Sequence, residues 1–108
     1  MARAASKRVS RPSPKVMRKH AGEAARLMKA IGNENRLMVL CALGEGELSV
    51  GELLKRVDLS QSALSQHLAV LRREALVSTR RESQSIYYSL ASANARLFID
   101  FLYKTYCA

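Results

Sequence analysis

Cysteines and histidines are the residues in this 108-residue chain best able to bind metals, change redox state or act as nucleophile and base, and there are only four of them. They are Cys41, Cys107, His20 and His67. A transition-metal site needs a cluster of nitrogen and sulfur ligands, and the sequence offers none, so no metal or other cofactor is expected. Ser65 and His67 do not make a catalytic pair, because side chains two residues apart on a helix diverge by about 200°. A thiol enzyme built on Cys41 or Cys107 would lack a neighbouring histidine or CxxC spacing to lower the thiol pKa. Thiol–disulfide chemistry remains. Cys41 falls on an apolar stripe where a small hydrophobe would serve, and free thiols in a cytosolic chain are usually inert. Cys107, by contrast, is the penultimate residue, where packing seldom calls for cysteine. The two could react if the last helix docked on the helix of Cys41, with Cα atoms within about 7 Å. On the residues alone, both readings stay open.

A second kind of chemistry is written in "LSQSALSQHL", residues 59–68. Ser60 reads as the N-cap of a helix running to about Glu74, with Leu64, Leu68 and Leu71 as its buried stripe. The opposite face carries Ser62, Ser65, Gln66, Ala69 and Arg73, bordered by Gln61 and Arg72. A helix facing only water would more cheaply use Glu, Lys and Arg. Short hydroxyls allow close approach to base edges, Gln can pair with adenine, and first-turn N–H groups can meet a phosphate. His67 lies near the core flank, where a structural hydrogen bond competes with a role in contact. The competing reading of the whole face is a solvated surface.

The flanking elements support a DNA-binding arrangement. Ala24, Leu27, Met28 and Ile31 predict an amphipathic helix from about Met17 to Ile31, ended by Gly32. Asn33 caps a second helix, "ENRLMVLCAL". The glycines of "GEGELSVGEL" are surrounded by three glutamates, so the segment reads as a turn and not a phosphate cradle. Ser49-x-x-Glu52 is a capping box for a short third helix, and the tight "VDLS" connection to the fourth makes a helix-turn-helix. "LVSTRRESQSIYYSL" then alternates in period two around a polar "RESQS" tip, a β-hairpin. Arg80 and Arg81 beside that tip suit a wing at a minor groove. Ser92 to Tyr106 is helical again, with Leu97, Phe98, Phe101, Leu102 and Tyr106 on an apolar face. The expected fold is mainly α with a small hairpin: a winged helix-turn-helix of order α-α-α-α-β-β-α.

Composition bounds the rest. A hydrophobic content of 48% with 25% charged residues describes an ordinary globular domain. No apolar run approaches the roughly 20 residues that span a bilayer, and no signal-peptide h-region appears, so no membrane partner and a cytoplasmic location are expected. The net charge of +9 is unevenly spread. Residues 1–20 hold seven basic residues and no acid, leaving only +2 for the remainder. Residues 1–18 are therefore expected to be a disordered basic tail, and 19–108 the folded domain. The tail could follow phosphates or simply solubilise, and it lacks the apolar face of a transit peptide.

The segments "ENRLMVLCAL", "LSVGELLKRVDLSQSALSQHLAVLRREALV" and "RRESQSIYYSL" strongly resemble the ArsR-type winged-helix repressors over about residues 20–107. That resemblance implies a homodimer with the first and last helices at its interface, through Leu27, Met28, Ile31, Phe98, Phe101 and Leu102. It implies two recognition helices on a palindromic double-stranded operator, with Ser60, Gln61, Ser62, Ser65, Gln66, His67, Arg72, Arg73, Arg80 and Arg81 as the DNA-contacting set. The chain departs from the metal-sensing pattern. Ser49-Val50-Gly51 stands where the family often has a cysteine motif, and the last helix has Asp100 but no histidine. A "VLCAL" cysteine with a terminal "YC" instead resembles the sulfide- and redox-responsive branch. This implies that Cys41 and Cys107 form a disulfide or polysulfide bridge in response to reactive sulfur or oxidant. The rivals are a same-fold regulator without redox input, a thiol-dependent enzyme, and a protein-interaction module that has lost DNA binding.

Overall fold

The computed structural model describes residues 13–107, which form five α-helices and one antiparallel sheet. In chain order these are α1 (Pro14–Ile31), α2 (Glu34–Leu43), β1 (Leu48–Ser49), α3 (Val50–Arg56), α4 (Gln61–Arg73), β2 (Val77–Glu82), β3 (Ser85–Leu90) and α5 (Ala93–Leu102). A π-helical turn, Tyr103–Cys107, continues α5. The architecture is the expected winged helix-turn-helix, with two differences. Helix α1 starts at Pro14, one turn before Met17, so residues 14–18 belong to the helix and not to the tail. Proline at the first helical position has its φ preset and no N–H to leave unpaired, which makes it a helix start despite the basic composition. Residues 1–12 of the expected tail lie outside the described residues. The second difference is β1, a two-residue strand that pairs Leu48 with Tyr88 and Ser49 with Tyr87, giving the sheet order β1-β3-β2.

Side-chain caps set the boundaries. Asn33 Oδ1 accepts from the N–H groups of Asn35 and Arg36, and the Arg36 Nε donates to the Ala30 carbonyl at 2.7 Å, tying α2 to the end of α1. Gly32 makes that corner possible, since a Cβ there would sit 2.9 Å from the Met28 carbonyl oxygen. Ser49 and Glu52 form the reciprocal capping box, while Ser60 and Ser92 cap α4 and α5. Helix α4 ends in a Schellman motif: Leu76 N–H bonds the Leu71 carbonyl and Ala75 N–H bonds that of Arg72. Its left-handed residue is Ala75, at φ 62°, where glycine is the usual occupant.

The core joins Val39, Leu40 and Leu43 of α2, Leu53 of α3, Leu64, Leu68 and Leu71 of α4, and Ala95 and Ile99 of α5. Ile31, expected at a dimer interface, is only 3% exposed and is taken up by the protomer's own core. Ile99 takes the buried position on α5, while Leu97 of the expected apolar face points outward. Both helices are apolar over more than one face, so periodicity alone could not separate core from free surface. Met28 and Phe101 remain 59% and 57% exposed, and Leu27, Phe98 and Leu102 are half-buried. Val16 and Met17 in the first turn of α1 are exposed.

Two substitutions probe this packing by urea denaturation. Leu64→Ala should cost about 2–5 kcal/mol through cavity formation. Ala75→Gly should stabilise by about 0.5–1 kcal/mol, because it relieves a left-handed alanine. A loss of stability in Ala75→Gly would contradict the Schellman geometry.

Candidate nucleic-acid interface and thiol pair

Helix α4 is divided cleanly. Leu64, Leu68 and Leu71 are no more than 2% exposed, while Gln61, Ser62, Ser65, Gln66, Ala69, Arg72 and Arg73 all face solvent. His67 is half-buried at the margin, as its position on the wheel predicts. Ser60 is exposed, but its Oγ is already used: it accepts from Ala63 N–H and lies 3.4 Å from Ser62 Oγ. Burying the leucines thus leaves a surface of hydroxyls and amides that ends in two arginines. Such a surface can approach base edges without steric obstruction.

An acid follows these arginines, and the fold neutralises it. Arg26 of α1 reaches Glu74 through two hydrogen bonds of 2.9 and 3.1 Å from Nη2. That contact holds the Glu74 carboxyl below its usual range. Neither Arg72 nor Arg73 makes a salt bridge among the described residues.

The hairpin is longer than the "RESQS" tip implied. Strand pairing runs from Val77–Leu90 to Glu82–Ser85, leaving Ser83 and Gln84 as the turn, with Ser83 left-handed at φ 55°. Arg80 and Arg81 therefore lie within β2, opposite Tyr87 and Ile86, and alternate to opposite faces. Arg81 is exposed and makes no salt bridge among the described residues. Arg80, expected with it as a DNA contact, is half exposed and paired with two carboxylates of the protein. Nε and Nη2 donate to the two carboxylate oxygens of Glu47 at 2.9 and 2.7 Å, and Nη1 donates to Glu82 at 2.9 Å. Glu47 lies 33 residues away in sequence, so no local pattern announced the contact.

The thiols lie on α2 and at the end of the last helical segment. Cys41 is half-buried on α2, Cys107 is exposed in the π-helical turn, and neither is in a disulfide. Two contacts place the chain end against α2. Ile99 Cγ2 lies 3.6 Å from where a Cβ on Gly44 would stand, and the Tyr103 hydroxyl donates to the Cys41 carbonyl at 3.2 Å. Burial is the main cause that pushes the Cys41 thiol pKa up. Tyr103 was missed in the sequence, where it reads as one more apolar helix residue. Its spacing four residues before Cys107 is the one local signal that could have marked it.

A three-stranded winged sheet behind a helix-turn-helix, with a polar outer helix face, defines the class of winged-helix DNA-binding regulators. Residues 33–79 match the family described as "Bacterial regulatory protein, arsR family". The chain is 53% identical over 84% of each sequence to the transcriptional activator HlyU of Vibrio cholerae. The structure of reduced HlyU from that organism superposes with a TM-score of 0.83 at 51% identity, covering 87% of this chain and 99% of that one. The transcriptional repressor BigR of Xylella fastidiosa gives the same TM-score at 42% identity, covering 90% of this chain and 99% of that one. The chain belongs to the ArsR family of transcriptional regulators and is not an enzyme.

The difference in burial makes the thiols chemically distinct. At neutral pH iodoacetamide should modify Cys107 well before Cys41, and the Cys41 rate should still be climbing above its ordinary pKa of 9.0. Peptide mass spectrometry showing equal rates would contradict the half-buried placement.

Proposed function

We propose that the chain is a homodimeric repressor acting in the cytoplasm, whose affinity for a palindromic double-stranded operator is switched by bridging Cys41 and Cys107. The observation that carries this reading is the hydrogen bond from the Tyr103 hydroxyl to the Cys41 carbonyl, which ties the turn that ends in Cys107 to α2. Description of one relative's structure as reduced HlyU agrees with it. Dimerisation draws support from the apolar side chains left exposed on α1, α5 and the turn that continues α5, chiefly Met28, Leu97, Phe101 and Tyr106. Leu27, Phe98 and Leu102 border that surface, and Ile31 supports it from within.

On DNA, α4 enters the major groove. Ser62, Ser65 and Gln66 meet base edges; Gln61, Arg72 and Arg73 meet the backbone; and Ser60 holds the first turn, with His67 at the margin. Arg81 supplies the wing contact. With peroxide as oxidant, the two thiols lose two electrons and two protons to form the S–S bond, and the peroxide is reduced to two waters. With an organic persulfide RSSH, two equivalents are consumed: the first transfers its sulfane sulfur to one thiol and leaves as RSH, and the second is the two-electron oxidant that closes the trisulfide, leaving as RSH and hydrogen sulfide. Either bridge fastens the end of α5 to α2, and α2 packs on α4. A bias of about 3 kcal/mol between dimer arrangements is enough for a roughly 100-fold loss of affinity.

Two experiments test this with a duplex selected from a randomised pool by the reduced protein. Ser65→Ala or Gln66→Ala should weaken binding to the selected duplex by about 1–3 kcal/mol and leave binding to random duplex nearly unchanged. Equal losses on both would remove base readout from α4. Treatment with hydrogen peroxide or an organic persulfide should release the wild type, while Cys41→Ser and Cys107→Ser stay bound. Retention of the wild type after mass spectrometry verifies the bridge would rule out the switch and leave a regulator without redox input.

A further inference from the structure

Arg80 is the wing residue that charge alone assigns to a phosphate, yet each of its three guanidinium nitrogens donates to a carboxylate while the side chain stays half exposed. Both oxygens of Glu47 and one of Glu82 accept from it, and the Tyr87 ring lies 4.8 Å from the guanidinium carbon. An isolated exposed ion pair contributes little, but a bidentate fork, a second carboxylate and an aromatic face act on this one group together. These contacts also join the parts that must stay aligned. Glu47 immediately precedes β1, which runs into the Ser49 cap of α3 and so into the helix-turn-helix. Arg80 is on β2, and Tyr87 on β3 pairs with both Arg80 and Ser49.

We propose that Glu47, Arg80 and Glu82 form a clamp that fixes the wing relative to the helix-turn-helix, making Arg80 and Glu47 positioning residues for DNA binding and leaving the wing's phosphate contact to Arg81. This rests on the DNA-binding reading above. Its consequence runs against simple electrostatics. Removing an acid beside a DNA-binding surface should raise affinity for a polyanion, whereas here loss of Glu47 loosens the wing and lowers it. Lysine cannot replace Arg80, because a point charge cannot reproduce the planar two-oxygen fork.

The experiment is a salt titration of affinity for the selected duplex. Glu47→Gln and Arg80→Lys should each weaken binding about two- to fivefold, with the double variant losing no more than either single one. Neither Arg80→Lys nor Arg80→Gln should change the slope of log affinity against log salt, while Arg81→Gln should reduce it by about 0.9. Tighter binding by Glu47→Gln, or a slope reduced by about 0.9 in Arg80→Gln, would overturn the clamp. Hydrogen exchange of the β2 and β3 amides in DNA-free protein supplies an independent arm. Glu47→Gln should speed that exchange, and unchanged rates would overturn the clamp even if the wild type proved not to bind DNA.

Discussion

The leucine stripe of α4 packed against α2 is the contact on which the rest depends. Leu64, Leu68 and Leu71 have almost no exposure, and Leu40 and Leu43 of α2 stand in the same core. Once those side chains are buried, helical geometry leaves no choice about which residues of α4 face outward. The same helix α2 carries Cys41 toward the chain end. One packed element therefore lies between the polar face and the thiols, so the proposed signal has a short physical route to the proposed DNA surface.

Charge is arranged with similar economy. Three acids of the described domain are held in ion pairs: Glu74 with Arg26, and Glu47 and Glu82 with Arg80. Arg72, Arg73 and Arg81 are left without such partners among the described residues. A modest net charge on the folded body can therefore still present a positive surface, because what matters is which cations remain unpaired.

Much of this was legible in the sequence because local rules govern it. Asn33, Ser49, Ser60 and Ser92 are N-caps by residue type and spacing, and the α4 stripe follows from a 3.6-residue period. What escaped was set by contacts distant in sequence. The Arg26–Glu74 pair spans 48 residues and Arg80–Glu47 spans 33, so no local pattern announced either; only Glu82, two residues from Arg80 on the same strand, lay close enough to signal part of the pairing. Strand β1 is only two residues long and exists because β3 offers it an edge. Ile31 was assigned to an interface and Ile99 was not singled out for the core, because α1 and α5 are apolar on more than one side. Ala75 in a left-handed conformation, and Tyr103 bonded to the Cys41 carbonyl, follow from tertiary context that no local pattern carries.

The central claim is that α2 transmits a bridge at Cys41 and Cys107 to α4. Hydrogen exchange followed along the chain in the reduced and the bridged protein tests it most directly. The account predicts altered protection in both α2 and α4 on bridging, reversed when the bridge is reduced. A change confined to the residues around Cys41 and the Tyr103–Cys107 turn, with α4 unaffected, would contradict it.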